Sequence, residues 1–98
     1  MRTVKPTPFP IDPLVDDVKC LGAAVRAART ASGLTLEWAA MALGVGKQTL
    51  QDLERGSGTV SVAFALRAAR ELGVVLFVAK AEDAEIIRRK ITEPDEPD

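Results

Sequence analysis

Apolar residues recur every three or four positions along most of the chain, a spacing that predicts amphipathic α-helices. Four strong segments are predicted as helices, over residues 18–31, 35–43, 47–55 and 61–72, and a weaker one over residues 81–91. The predicted core stripe of the fourth helix is Val62, Ala65, Leu66, Ala69 and Leu72, and that of the last is Ile86, Ile87 and Ile91. This pattern indicates an all-α fold.

The second and third predicted helices are joined by the tight turn Gly44-Val45-Gly46. Thr35 is placed to cap the first of them, and Gly44 supplies the positive φ at which that helix stops. Gly56 ends the following helix. Two short helices joined by a glycine turn are typical of a helix-turn-helix.

The sequence GLTLEWAAMALGVGKQTLQDLERG, residues 33–56, resembles the helix-turn-helix of the phage-repressor (Cro/C1, or Xre) family. The flanking segments LGAAVRAARTASGL and GTVSVAFALRAARELGVVL resemble the HipB-like antitoxin branch, so the similarity covers roughly residues 21–78. The resemblance implies a five-helix, lambda-repressor-like domain with a short C-terminal β-strand that pairs across a dimer.

Three regions follow from this interpretation. Residues 1–17 form an extended, Pro-rich N-terminal arm, for which disorder is favoured over a minor-groove role of Arg2 and Lys5. Residues 18–79 form the helix-turn-helix DNA-binding domain with its C-terminal dimerisation strand. Residues 80–98 form a C-terminal helix and an acidic, disordered tail.

The start of the second helix of the motif carries side chains long enough to reach base edges in a major groove. The family resemblance places base-reading positions at Lys47, Gln48 and Asp52 and phosphate contacts at Thr49 and Arg55, with Gln51 on the same polar segment. Lys47 suits guanine, Gln48 suits adenine and Asp52 suits cytosine N4, and the pairings that occur stay open.

Arg29 lies on or beside the apolar stripe of the first predicted helix. In the resembling family an arginine at this place pairs with a glutamate near the end of the recognition helix, which is Glu54 here. An arginine so close to the core requires a carboxylate, and its fork geometry allows two parallel hydrogen bonds. The alternative is two independently solvated charges.

A short apolar run rich in β-branched residues follows Gly73 and predicts a strand. Its residues are Val74, Val75, Leu76, Phe77 and Val78. A lone strand leaves backbone groups unpaired, and pairing with the same segment of a second copy makes an antiparallel dimer. A competing interpretation pairs it with residues 2–5 of the same chain.

The first helix of the motif departs from the family pattern. Leu36 stands where a phosphate-binding glutamine is common, and Trp38 and Met41 replace charged residues. These three residues are therefore a candidate patch for a protein partner, because tryptophan and methionine are enriched in interfaces. The alternative is that Trp38 folds back against the N-terminal arm or Phe9.

The formal net charge is −1, but it is unevenly distributed along the chain. Residues 1–19 are neutral, residues 20–79 carry +2, and residues 80–98 carry −3. The helical core is therefore mildly basic, which permits DNA binding without diagnosing it. Of the arginines after Gly56, Arg67 and Arg70 are expected to face away from the core as solvated charges or as phosphate or partner contacts.

Several classes of function are disfavoured. The chain has one cysteine, Cys20, and no histidine, so we expect no disulfide framework, no metal site and no catalytic group. The GVGKQT stretch fails the phosphate-loop spacing at Met41 and Gln48, and no cofactor is expected. The chain has neither a membrane-spanning run nor the apolar run of a signal peptide, so a cytoplasmic location is expected.

These features favour a dimeric, sequence-specific repressor of double-stranded DNA that binds a near-palindromic operator. The HipB-like resemblance implies the antitoxin of a type II toxin-antitoxin operon, with a HipA-like kinase toxin as a further partner. Two alternatives stay open. One is a protein-binding module on the same scaffold with little DNA affinity, and the other is a stand-alone phage-type regulator.

Overall fold

The structure of the protein, a computed structural model, describes residues 3–57 and 59–93. Within these residues the chain is helical, with no strand assigned. Its helices are α1 (Val18–Ala31), α2 (Leu36–Leu43), α3 (Lys47–Arg55), α4 (Val62–Glu71) and α5 (Ala84–Thr92), the last preceded by a 3₁₀ turn at Ala81–Asp83. The all-α prediction is confirmed. None of the described helices has both the length and the apolar character needed to cross a membrane.

The helix ends around the turn between α2 and α3 are built as predicted. The Thr35 hydroxyl accepts a hydrogen bond from the backbone N–H of Trp38 at 3.2 Å and so caps α2. Gly44 (φ 72°) and Gly56 (φ 71°) end α2 and α3 in the left-handed conformation, which a residue with a Cβ adopts only under strain.

The core lies between α1, α3 and the inner faces of α2 and α4. Val25 of α1 and Leu50 of α3 are wholly buried. Leu43 and Leu53 complete the large apolar side chains of this centre, each 4% exposed. Alanines fill most of the remaining positions, namely Ala24, Ala39, Ala40, Ala65, Ala68 and Ala69. Small side chains at so many helix contacts bring the helix axes close together.

The core stripe predicted for α4 is partly wrong. Val62 is 73% exposed and Leu66 is 48% exposed, while Ala65, Ala68 and Ala69 are buried. Val62 and Leu66 border an open apolar groove of about 180 Å³, whose other walls include residues of α1 and α3. The helix therefore turns its alanines to the core, because only small side chains fit where the helices approach most closely.

Arg67 of α4 also differs from its predicted outward orientation. Its Nη2 donates a hydrogen bond to the carbonyl oxygen of Leu43 at 2.7 Å, and its guanidinium lies 5.8 Å from the centre of the Phe64 ring. The carbonyls in the last turn of a helix have no partner within the helix. Arg67 therefore ties α4 to the end of α2, next to the turn of the motif.

The arm has no helix or strand over residues 3–17, and two contacts hold it against the helices. The backbone N–H of Thr7 donates to the Thr30 hydroxyl at 3.0 Å, and Arg88 of α5 makes an ion pair with Asp12 at 2.6 Å. The hydrogen bond from Arg88 lowers the pKa of the Asp12 carboxyl. This attachment therefore holds wherever Asp12 is ionised and is lost on acidification. Arg2 lies outside the described residues.

The segment predicted as a dimerisation strand leaves the helical core after its first residue. Val74 is buried, whereas Val75, Phe77 and Val78 are 71%, 87% and 100% exposed. Residues 3–5 and 74–80 form no strand in the described chain, so the competing pairing within one chain is not observed there. The pairing between two copies stays a prediction.

The C-terminal helix is present, and its predicted apolar side faces outward. Ile86, Ile87 and Ile91 are 57%, 40% and 60% exposed, and α5 buries no residue. The predicted disordered tail, residues 94–98, lies outside the described residues.

Gly22 marks the closest approach of α1 to α3. A Cβ on Gly22 would stand 2.3 Å from the carbonyl oxygen of Leu53 and 2.6 Å from that of Glu54. Both atoms belong to the backbone of α3, so neither can move without moving the helix. Only glycine therefore allows this packing.

We expect Gly22→Ala to lower the free energy of unfolding by at least about 3 kcal/mol, because overpacking here must separate α1 from α3. Gly46→Ala is the matched control. Gly46 has φ −71°, and its added Cβ would meet no atom within 4 Å. We expect it to change stability by less than about 1 kcal/mol. Urea unfolding followed by circular dichroism measures both, and equal effects would contradict the proposed contact.

Candidate nucleic-acid interface

Helix α3 is anchored by one face and leaves the opposite face to solvent. Leu50 and Leu53 point into the core, at 0% and 4% exposure. On the opposite side, polar residues follow the i, i+3, i+4, i+7 spacing of one helix face. These are Gln48, Gln51, Asp52 and Arg55, of which Gln48 and Arg55 are exposed and the other two half-buried.

Lys47 and Thr49 flank this stripe in the first turn of α3, and both are exposed. All six residues predicted to contact DNA therefore lie on one short helix of nine residues, with none in the core. The structure brings them together as a single polar surface about two turns long. We call this surface, residues 47–49, 51, 52 and 55, the recognition face.

The N-terminus of α3 differs from those of α1, α2 and α4. Asp17, Thr35 and Ser61 cap those three helices through their side chains. Gly46 stands at the same position before α3 and offers no side-chain cap. The first N–H groups of α3 are therefore not covered by a side chain, and helix N-termini of this kind donate to phosphate oxygens.

Lys47 forms an ion pair across the motif. Its Nζ lies 2.8 Å from Oε1 of Glu37 on α2, and the two side chains are 55% and 47% exposed. An exposed pair of this kind contributes about 0–1 kcal/mol and is weakened by salt. The sequence did not identify Glu37 as part of this surface, because the pair exists only where the start of α2 meets the start of α3.

Gln48 and Asp52 are also in contact. Nε2 of Gln48 donates to Oδ1 of Asp52 at 2.8 Å, across one turn of α3. The two residues are four positions apart, so their side chains lie one above the other on the same face. Two of the three predicted base-reading residues are thus bonded to each other.

Beneath the recognition face, Arg29 and Glu54 form a bidentate ion pair. Nε of Arg29 lies 2.6 Å from Oε2 of Glu54, and Nη2 lies 2.9 Å from Oε1. Nη1 donates to the carbonyl oxygen of Leu34 at 2.8 Å. The two charged side chains are only 9% and 5% exposed. Independent solvation of these charges does not fit this geometry.

The candidate partner patch lies on the outer face of α2. Trp38 is 63% exposed and Met41 is 68% exposed, three positions apart, and Leu36 is half-buried beside them. Phe9 is itself 59% exposed. The alternative in which the arm or Phe9 covers Trp38 is therefore wrong, and the indole presents most of its surface to solvent.

Asp16, Asp17 and Cys20 form a group of metal-ligating types whose ligand atoms lie within 4.8 Å of one another. Their mutual contacts are those of a helix cap. Asp17 accepts from the backbone N–H of Cys20 at 2.9 Å, and the Cys20 thiol donates to Asp16 at 3.4 Å. Hydrogen bonds to Asp17 and Asp16 raise the pKa of the Cys20 thiol, which disfavours the thiolate that a metal would need.

Comparison with solved structures shows what the fold is similar to. A HipB–O4 20mer complex matches at a TM-score of 0.60 and 16% identity, covering 69% of this chain and 96% of that one. A complex of a serine-to-alanine variant of HipB with an O2 20mer matches at a TM-score of 0.61 and 16% identity, covering 69% and 94%. At this identity the similarity shows the fold alone.

The clp gene regulator ClgR from C. glutamicum is similar over a longer stretch. It matches at a TM-score of 0.51 and 29% identity, covering 80% of this chain and 95% of that one. No curated protein matches the sequence significantly. The helix-turn-helix domain family matches residues 21–76, which span α1 to α4 and the start of the segment that follows. The chain therefore belongs to the helix-turn-helix domain family, in its Xre/Cro-like form, with the fold of DNA-binding regulators.

Proposed function

We propose that this protein is a sequence-specific transcriptional repressor that inserts α3 into the major groove of an operator. The observation that carries this proposal is the recognition face itself. Four polar residues at helical spacing point away from Leu50 and Leu53, which lock the opposite side of α3 into the core. A helix held in this way presents side chains to base edges with little freedom to rotate.

Backbone contacts complete the proposed DNA surface. Thr49 and Arg55 lie at the edges of the recognition face, within reach of the phosphates that border a groove. The N–H groups at the start of α3 add donors that carry no sequence information. The positive charge of residues 20–79 favours this association, while the acidic residues are concentrated after residue 79.

Dimerisation is the second part of the proposal. The apolar residues Val75, Phe77 and Val78 are exposed beside the helical core, and their backbone is not part of any helix. Pairing of this segment with its copy would satisfy the backbone groups and cover the apolar side chains. Two recognition faces would then meet half-sites about one helical turn apart on a near-palindromic operator.

We further propose that the protein is a HipB-like antitoxin, so that its second ligand is a HipA-like kinase toxin. The shared fold with HipB and the sequence resemblance beyond the helix-turn-helix support this assignment. The reading frame next to its gene tests it at once. A kinase-like product that copurifies with this protein supports it, and an unrelated neighbour favours a stand-alone regulator.

The second candidate function is a protein-binding module with little DNA affinity. Trp38 and Met41 favour it, because exposed tryptophan and methionine three positions apart on α2 form an adhesive apolar surface. This surface lies on a different helix from the recognition face, so one molecule has room for both ligands.

Arg55→Ala is expected to weaken binding to the DNA upstream of its own gene and to reduce its salt dependence. One lost phosphate contact per subunit lowers the slope of log K against log salt by about one unit. Arg70→Ala is the matched control, since Arg70 is an exposed arginine in the last turn of α4. Fluorescence anisotropy at several salt concentrations measures both, and equal slopes for the two variants would remove Arg55 from the DNA surface.

Phe77→Pro is expected to convert a dimer into a monomer at micromolar concentration. Proline removes a backbone N–H that the paired strand needs and is poorly tolerated inside a sheet. Phe77→Thr, which keeps the N–H and a β-branched side chain, should weaken the dimer less. Sedimentation velocity distinguishes these outcomes, and a wild-type chain that is monomeric under the same conditions would refute the strand-paired dimer.

Met41→Ser is expected to weaken binding of the neighbouring gene's product about tenfold while leaving DNA affinity unchanged. Trp38, the single tryptophan of the chain, supplies the signal, because its emission shifts to the blue when a partner buries it. Ile11→Ser is the control, since Ile11 is 86% exposed on the arm. No shift on adding that product, or equal losses in both variants, would rule out the patch as the interface.

A further inference from the structure

The contact between Gln48 and Asp52 fixes more than the position of two side chains. A carboxylate only accepts hydrogen bonds, so the amide of Gln48 must turn its NH₂ group towards Oδ1 of Asp52, at 2.8 Å. The orientation of the amide is thereby set by chemistry. Without this neighbour, a glutamine on an exposed helix face presents its donor and its acceptor in either order.

The half of the amide that stays free has a defined pattern. One N–H of Nε2 is used by Asp52, which leaves the second N–H and the acceptor Oε1. Adenine presents the complementary pair in the major groove, an acceptor at N7 and a donor at N6. Guanine presents two acceptors, N7 and O6, and one of them would face Oε1. The bonded amide therefore distinguishes adenine from guanine.

Asp52 itself is less suited to touch the DNA. It is half-buried, while Gln48 is exposed nearer the N-terminal end of α3, and one of its two oxygens is occupied. Its negative charge is also unfavourable beside phosphates, unless it acts on a neighbouring protein group.

We propose that Asp52 is a positioning residue that holds Gln48 in the orientation that reads adenine, and that it does not read a base itself. This inference rests on the proposed function, because it assigns a role within the same recognition face. It also replaces the expectation that Asp52 accepts from cytosine. The physical gain is preorganisation, since a side chain already bonded in its binding orientation loses less freedom on the DNA.

The test begins with the free protein. The side-chain NH₂ resonances of Gln48 are compared by NMR in the wild-type chain, Asp52→Ala and Asp52→Asn. Asparagine keeps an oxygen that accepts the same N–H, and alanine does not. We expect the two resonances of Gln48 to converge in Asp52→Ala and to stay apart in Asp52→Asn. Unchanged resonances in Asp52→Ala would overturn the contact, and with it the inference, whatever the protein binds.

The second step uses a randomised duplex library from which the full-length wild-type protein selects its preferred sequence. Affinity is then measured for that duplex and for versions in which each adenine·thymine pair becomes guanine·cytosine. We expect Gln48→Ala to reduce the preference for adenine at one position per half-site on the order of 10- to 100-fold. Asp52→Ala should reduce the preference at that same position roughly 2- to 10-fold, and Asp52→Asn should largely keep it.

The outcomes separate the two proposals. Loss of preference at one shared base position, rescued by Asp52→Asn, supports positioning, and so does a double variant no worse there than Gln48→Ala. Loss at a different position in Asp52→Ala shows direct reading by Asp52 and overturns the inference alone, as does an unchanged profile. Selection of no sequence at all, with the NMR contact intact, overturns the proposed function and therefore also the role assigned to Asp52.

Discussion

The Arg29–Glu54 ion pair connects the three elements on which the recognition face depends. Arg29 belongs to α1, Glu54 to α3, and the third bond of the guanidinium goes to the carbonyl of Leu34 just before α2. Each charged group is nearly removed from water, so removal of one partner would leave the other uncompensated, at a cost of about 3–5 kcal/mol. Within the described residues no buried side-chain N or O atom lacks a hydrogen-bond partner.

This pair acts where the helices are closest. Gly22 lets the backbone of α1 approach the carbonyls of Leu53 and Glu54, and the ion pair then sets the rotation of α3 about its own axis. Arg67 adds a hydrogen bond from α4 to the end of α2. The recognition face is thus supported from behind by apolar packing, by a buried charge pair and by a bonded turn.

The ends of the chain are held in a different way. The arm and α5 are joined by the exposed Asp12–Arg88 pair, and α5 buries no residue. Contacts of this kind are weak and are lost before the core unfolds. Exposed apolar residues are concentrated in the arm, in the segment after Val74 and in α5, among them Ile11, Phe77 and Ile91. The described chain therefore combines a well-packed centre with terminal regions that a second copy or a partner would help to order.

Much of the fold was readable from the sequence because its signals are local. Thr35, Gly44 and Gly56 determine where helices begin and end within one turn of the backbone, and the spacing of apolar residues identifies the buried side of α3. The exposed position of Gln48 on the far side of that helix follows from the same periodicity.

What the tertiary structure decided are the contacts between elements distant in sequence. The glycine at residue 22, the inward turn of Arg67, the Lys47–Glu37 pair and the exposure of Val62 all depend on how two helices cross, which no local pattern contains. The Gln48–Asp52 bond is local, but only the packing of α3 shows which face carries it to solvent. Sequence periodicity determines which side of a helix is buried, whereas the distance and angle between helices determine which side chains meet.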